Sequence, residues 1–239
     1  MKTANPRNMA ASVRQRLMNH ASSSREDFQV VLAQFGFERL LYRLGRLHPV
    51  PPFTVKGALL FRVWTGEQYR PTRDLDLASP GPLTEAELRT IFRNACTASV
   101  EDDGLVFAAD AVHVQPIRED AEYGGMRVTM EATLGRARIP LQIDIGFGDA
   151  ITPRAATAEF PALLEFPAPL LAVYPRETAV AEKTALGDVS LHLTFSGHAK
   201  APGRQRTQPN VKCKDTSPGP VCLSRVVAQG RPGGARGHP

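Results

Sequence analysis

The chain predicts an α+β fold, a mixed β-sheet with helices packed against it. Three observations carry this reading. Residues 53–78 read as strand, short helix and strand; residues 9–44 place apolar side chains at helical spacing; residues 105–147 alternate or run apolar as strands do.

Residues 53–78, FTVKGALLFRVWTGEQYRPTRDLDLA, organise the rest. An apolar strand ends at Lys56-Gly57, a helical run covers 58–64, Gly66 turns the chain, and a second strand follows the basic stretch 69–73. Side chains alternate faces in a strand, so Asp74 and Asp76 point one way and Leu75 and Leu77 the other. Two carboxylates this close repel unless a proton or cation neutralises them, and hard oxygen donors suit Mg²⁺ or Mn²⁺. Gly57 sits where strand becomes helix, where backbone amides can approach a phosphate without a side chain in the way. Alone that turn is a weak signal. A D-x-D on the next strand strengthens it.

Ahead of this unit, Met9, Val13 and Leu17 define a short amphipathic helix over 9–20. Ser24 and Asp27 mark a second helix start, with Phe28, Val31, Leu32 and Phe35 in one stripe, and Gly36 predicts a break before Phe37, Leu40, Leu41 and Leu44. His48-Pro49-Val50-Pro51-Pro52 is a turn. Downstream, Thr84-Glu85-Ala86-Glu87 fits a capping box opening a helix to about Thr97. Asp102-Asp103-Gly104 makes a turn, and strands at 105–108, 112–117 and 127–134 read as a β-meander. The acidic cluster Glu101, Asp102 and Asp103 is expected to be solvated.

Residues 139–147 form the next strong strand, with Leu141, Ile143 and Ile145 on one face and Gln142, Asp144 and Gly146 on the other. An Asp inside an apolar strand is costly unless paired, hydrogen-bonded or metal-bound. If this strand lies beside the D-x-D strand, three carboxylates converge as two-metal phosphoryl chemistry requires. After proline-punctuated segments, residues 176–183 read as helix with Lys183 about two turns in. There it is either an exposed structural lysine or a phosphate partner.

Composition bounds the function. With 239 residues and 42% hydrophobic content the chain supports one core, or one domain and an appendage. No apolar run approaches the ~18 residues of a membrane span and residues 1–24 are too polar for a signal peptide, which predicts a cytoplasmic protein with no membrane partner. Cys96, Cys213 and Cys222 have neither metal-ligand spacing nor an even count, so reduced thiols are expected. The net charge of +5 is uneven. Residues 1–183 hold 21 Lys and Arg against 22 Asp and Glu, while 184–239 hold 8 against 2, so charge gives the first part no case for nucleic-acid binding.

Lys56-Gly57, Arg73-Asp74-Leu75-Asp76, Gln142-Ile143-Asp144 and Glu182-Lys183, in that order, resemble the AbiEii/AbiGii-type nucleotidyltransferase toxins of the DNA polymerase β-like nucleotidyltransferase superfamily. The resemblance spans roughly residues 9–183 and includes Glu38-Arg39-Leu40-Leu41-Tyr42-Arg43-Leu44. It implies a polymerase β-like core that moves an NMP from an NTP to a hydroxyl of a tRNA or protein acceptor, in a toxin with a cognate antitoxin, within a toxin–antitoxin or abortive-infection system. By it, Asp74, Asp76 and Asp144 hold the metal and Asp144 helps activate the attacking hydroxyl. Lys56, Gly57, Arg73 and Lys183 then serve the nucleotide. Members commonly carry a second glycine where this chain has Ala58, and a further Lys-Asp motif beyond the position of Lys183.

Residues 184–239 lack such a motif. With one aromatic, Phe195, and many Gly, Pro, Arg and Ser, they resemble a disordered extension or an out-of-frame reading after Lys183. The expected organisation is a nucleotidyltransferase-like domain over 1–183 and a basic Gly/Pro-rich tail over 184–239. The competing reading is a catalytically impaired remnant that only binds nucleotide or RNA. A D-x-D glycosyltransferase leaves Gly57 and Asp144 without a role, and a calcium loop lacks its glycine and distal glutamate.

Overall fold

The computed structural model describes residues 6–47, 53–66, 72, 74–117 and 124–185, with side chains described within 9–182. Two long helices come first, α1 (Pro6–Ser24) and α2 (Phe28–Leu47). Val13, Leu17 and Ala21 repeat every four residues and are buried, as the spacing predicts. Asp27 starts α2 by accepting from the amides of Gln29 at 2.8 Å and Val30 at 3.3 Å.

Gly36 does not break α2. A Cβ at this position would lie 3.0 Å from Leu141 Cδ2 and 3.3 Å from Ile139 Cγ2, so the glycine lets an unbroken helix press onto the sheet. A packing requirement outweighs the ~1 kcal/mol propensity cost on which the predicted break rested.

The 53–78 unit forms β1 (Thr54–Lys56), α3 (Leu59–Thr65) and β2 (Asp74–Ser79). β1 and β2 are antiparallel neighbours, with Lys56 opposite Asp76. Helix α4 (Glu85–Thr97) opens with both hydrogen bonds of the predicted capping box, Glu87 N to Thr84 Oγ1 and Thr84 N to Glu87 Oε2. The amide and hydroxyl of Thr84 hold the Glu87 carboxyl below its ordinary value.

Next come β3 (Leu105–Phe107), a 3-10 turn at Ala109–Ala111, β4 (His113–Ile117), β5 (Gly125–Leu134) and β6 (Ala137–Phe147). The expected meander is corrected here. β3 and β4 do not pair with each other; each runs antiparallel to β5, β3 against its C-terminal end and β4 against its N-terminal end. The 3-10 turn offsets the chain without reversing it, so the two make one broken edge strand.

After β6, β7 (Ala156–Glu159) pairs with β8 (Leu170–Val173), which runs parallel to β1, and α5 (Arg176–Ala185) follows. The sheet order is β3-β5-β6-β2-β1-β8-β7, with β2 and β6 parallel. One face carries Leu75, Leu77, Val128, Met130, Leu141, Ile143 and Ile145 into a single core with α1, α2 and α4. This is the mixed-sheet α+β architecture the sequence predicts.

A second correction concerns the acidic turn. Asp103 is 1% exposed and receives Arg39 Nε at 2.9 Å and Arg43 Nη1 and Nη2 at 2.7 and 3.0 Å. Burial pushes its carboxyl up, but the hydrogen bonds and charge of Arg43, then Arg39, hold it below the ordinary value. Two arginines on α2, which composition alone would put at the surface, turn inward to meet it. Cys96 is a free, half-buried thiol whose pKa burial raises to about 11. The 48–52 turn, Arg73, the Lys183 side chain, Cys213, Cys222 and the expected disorder after Lys183 lie outside the described residues.

Candidate active site

The polar face of the sheet is laid out by register. Gln115, Arg127, Asp144, Asp76 and Lys56 occupy one rung across β4, β5, β6, β2 and β1. His113, Thr129, Gln142 and Asp74 occupy the next. Since β2 and β6 are parallel, Asp76 meets Asp144 directly and Asp74 lies one rung away on the same face. One carboxylate oxygen from each of the three, all half-buried, lies within 4.8 Å of the others.

Thr72 orients Asp74, its hydroxyl donating to Asp74 Oδ1 at 2.7 Å. Asp144 accepts from Arg127 Nε at 2.8 Å and Nη2 at 2.7 Å. Asp76 is packed against Gly57. This glycine has φ +71°, and a Cβ there would lie 1.9 Å from Asp76 Oδ2. The missing side chain is the space that the carboxylate fills.

Lys56 shares the rung of Asp76 but its amine reaches the end of β6. Lys56 Nζ donates to Asp149 Oδ2 at 2.8 Å, the Tyr174 hydroxyl donates to the same oxygen at 2.6 Å, and Glu182 Oε1 is 3.7 Å from the amine. Gly146 makes room for this arm, since a Cβ there would lie 3.1 Å from Lys56 Nζ. Burial alone would lower the Lys56 pKa, but the Asp149 hydrogen bond and the charges of Asp149, Glu182 and Asp76 raise it. Lys56 therefore stays cationic. Burial and then Asp149 likewise push the Tyr174 hydroxyl up, so it remains a donor.

The structure thus brings Asp74, Asp76, Asp144, Lys56 and Gly57 together. Helix α5 reaches the same place through Glu182, and Thr178 Oγ1 anchors it to Thr152 O at 2.8 Å. Sequence reasoning passed over Thr72, Arg127, Asp149 and Tyr174. The alternation Arg127, Thr129, Glu131 on β5 signalled a polar face, but only the β5–β6 register selects Arg127 as the partner of Asp144.

The family described as nucleotidyl transferase AbiEii toxin, type IV TA system, matches residues 39–187. The chain belongs to this family. The AbiEii match includes all three aspartates, Lys56, Gly57 and Lys183, and ends four residues beyond Lys183. No curated protein matches. Among solved structures, JHP933 from Helicobacter pylori is 13% identical with a TM-score of 0.43, covering 66% of this chain and 56% of its own. A second H. pylori protein, provisionally designated a nucleotidyltransferase, is 13% identical with a TM-score of 0.37, covering 61% and 53%. This chain spans a little over half the length of either. Among the described residues, no helix is long and apolar enough to cross a membrane.

Proposed function

We propose that this AbiEii-family protein is a divalent-metal-dependent nucleotidyltransferase. It transfers an NMP from an NTP to a hydroxyl of an RNA or protein acceptor, as the toxin of a cytoplasmic toxin–antitoxin or abortive-infection pair. The observation that carries this reading is the three-carboxylate cluster built by the β2–β6 register within the family match.

The donors fit Mg²⁺ or Mn²⁺, being hard oxygens with no His or Cys among them. Opposite oxygens around an octahedral Mg²⁺ are about 4.2 Å apart. A cluster within 4.8 Å needs only a small contraction. Bound there, the cation supplies charge for the developing phosphoryl oxygens and lowers the barrier to deprotonating the acceptor hydroxyl.

The chain's own residues do the rest. Asp144 helps orient and deprotonate the hydroxyl, whose oxygen bonds to the α-phosphorus as the bond to the bridging oxygen breaks and pyrophosphate leaves. Lys56, cationic beside Asp76, offers charge to the phosphates. Gly57 holds Asp76 in place and leaves the backbone open on that side. Arg73 and Lys183 complete the nucleotide contacts. Residues 1–183 form the nucleotidyltransferase domain and 184–239 an appendage.

The test is label transfer from each α-labelled NTP, with Mg²⁺ or Mn²⁺, to RNA and to protein. Asp76→Asn should reduce transfer by on the order of a hundredfold or more while stability stays close to the parent's, because the change removes a metal ligand and relieves carboxylate repulsion. A variant as fast as the parent refutes the assignment. The unusual composition of residues 184–239 favours one alternative, a remnant that binds nucleotide or RNA without catalysis. Nucleotide binding by the parent with no metal-dependent transfer would decide for it.

A further inference from the structure

Both oxygens of Asp144 are held by one side chain. Arg127 Nε meets Oδ1 and Nη2 meets Oδ2, the two-pronged pairing in which a guanidinium matches a carboxylate. The pairing is built into the sheet, because the β5–β6 register sets the two residues opposite each other. Along that rung the charges run cation, carboxylate, carboxylate, cation from Arg127 to Lys56. The two cations are placed differently. Lys56 is held at the end of β6 by Asp149, whereas Arg127 is bonded to a carboxylate of the triad itself. With a side chain 35% exposed, Arg127 can turn without opening the core.

A divalent cation on Asp144 and a guanidinium on the same oxygens repel, and the doubly charged ion bonds at shorter distance. We propose that Arg127 is a cation-gated phosphate-binding residue. It neutralises Asp144 until the metal arrives, and then turns its fork onto a phosphate oxyanion on the β5 flank of the site, across the carboxylates from Lys56 and Gly57. Phosphate suits the released group because its oxygens accept the same planar fork as a carboxylate does. The oxyanion belongs either to the triphosphate of the nucleotide or to the backbone of a nucleic-acid acceptor. This inference rests on the nucleotidyltransferase reading.

Two binding measurements on the full-length protein test it without turnover. Mn²⁺ affinity is read by electron paramagnetic resonance without nucleotide. Affinity is then measured at saturating Mn²⁺ for α,β-methylene NTP analogues and, separately, for a short RNA. R127A should bind Mn²⁺ about fivefold tighter, since a competing charge is gone, and bind one phosphate ligand about tenfold more weakly. R127K, which keeps the charge without the fork and so guards against loss of folding, should lie between R127A and the parent on both readouts. Weakening confined to the NTP analogue identifies the triphosphate, and weakening confined to RNA identifies the acceptor backbone. Unchanged or weaker Mn²⁺ binding, or undiminished affinity for both phosphate ligands, overturns the proposal while leaving the reaction class standing. A parent that binds neither Mn²⁺ nor nucleotide overturns both.

Discussion

Gly57 and Gly66 share a left-handed backbone, with φ of +71° and +74°, yet only one of them has a carboxylate where its side chain would be. Forcing an alanine into that conformation costs about 1–2 kcal/mol at either position. At Gly66 nothing lies within 4 Å of the added Cβ, so the cost stops there. At Gly57 the Cβ would displace Asp76 from the cluster. Gly57→Ala should therefore lose Mn²⁺ binding as well as some stability, whereas Gly66→Ala should lose a similar amount of stability and bind Mn²⁺ like the parent. Equal Mn²⁺ affinities in the two variants, measured by titration, would show that Asp76 has room to move and still ligate.

Among the elements, α2 does the most to hold the sheet in shape. Its apolar side packs on the core, and its buried Arg39 and Arg43 bind the loop before β3 through Asp103. Arg39 Nη1 also donates to Pro167 O at 2.7 Å, tying the segment before β8 to the same helix. The tightest approach is at Gly36. Gly36→Val gains a few tenths of a kcal/mol in helix propensity but crowds the buried Leu141 and Ile139. Overpacking of this kind costs about 1–3 kcal/mol, so net destabilisation is expected. Urea unfolding reads it directly, and a variant at least as stable as the parent would mean that α2 has slack against β6.

For the whole molecule, pH dependence turns on Glu38, buried on α2. Its Oε2 accepts from the Leu163 amide at 2.8 Å, while Oε1 has no hydrogen-bond partner. Burial raises its pKa to about 7, against the opposing pull of the Leu163 amide and of Arg39 and Arg62. A carboxyl with a raised folded pKa binds its proton more tightly in the native state. Its stabilising contribution is thus full below about pH 4.5 and is lost as pH rises to about 7. Between pH 4.5 and 8 the parent should lose about 2–3 kcal/mol relative to Glu38→Gln, which keeps the acceptor for Leu163 but cannot ionise. Parallel profiles for parent and variant, from thermal unfolding across this range, would rule Glu38 out as the source.

The sequence by itself determined which face of each strand is polar, because alternation is a property of the strand backbone and needs no partner. Asp74 and Asp76 opposite Leu75 and Leu77, and Asp144 opposite Ile143 and Ile145, were legible for that reason, as was the α4 capping box, whose contacts close within one turn. Family motifs in register added the reaction class. Only the tertiary structure decided which strands lie side by side. The parallel β2–β6 pairing sets Asp76 against Asp144, the β5–β6 pairing gives Asp144 its arginine, and the end of β6 carries Asp149 to Lys56. Gly36 and Asp103 were misread for the same reason. A glycine pressed against a sheet and an aspartate clamped by arginines some 60 residues earlier in the chain, 64 in the case of Arg39, look locally like a break and a solvated turn. Their conformations are settled by long-range contacts that local propensity does not contain.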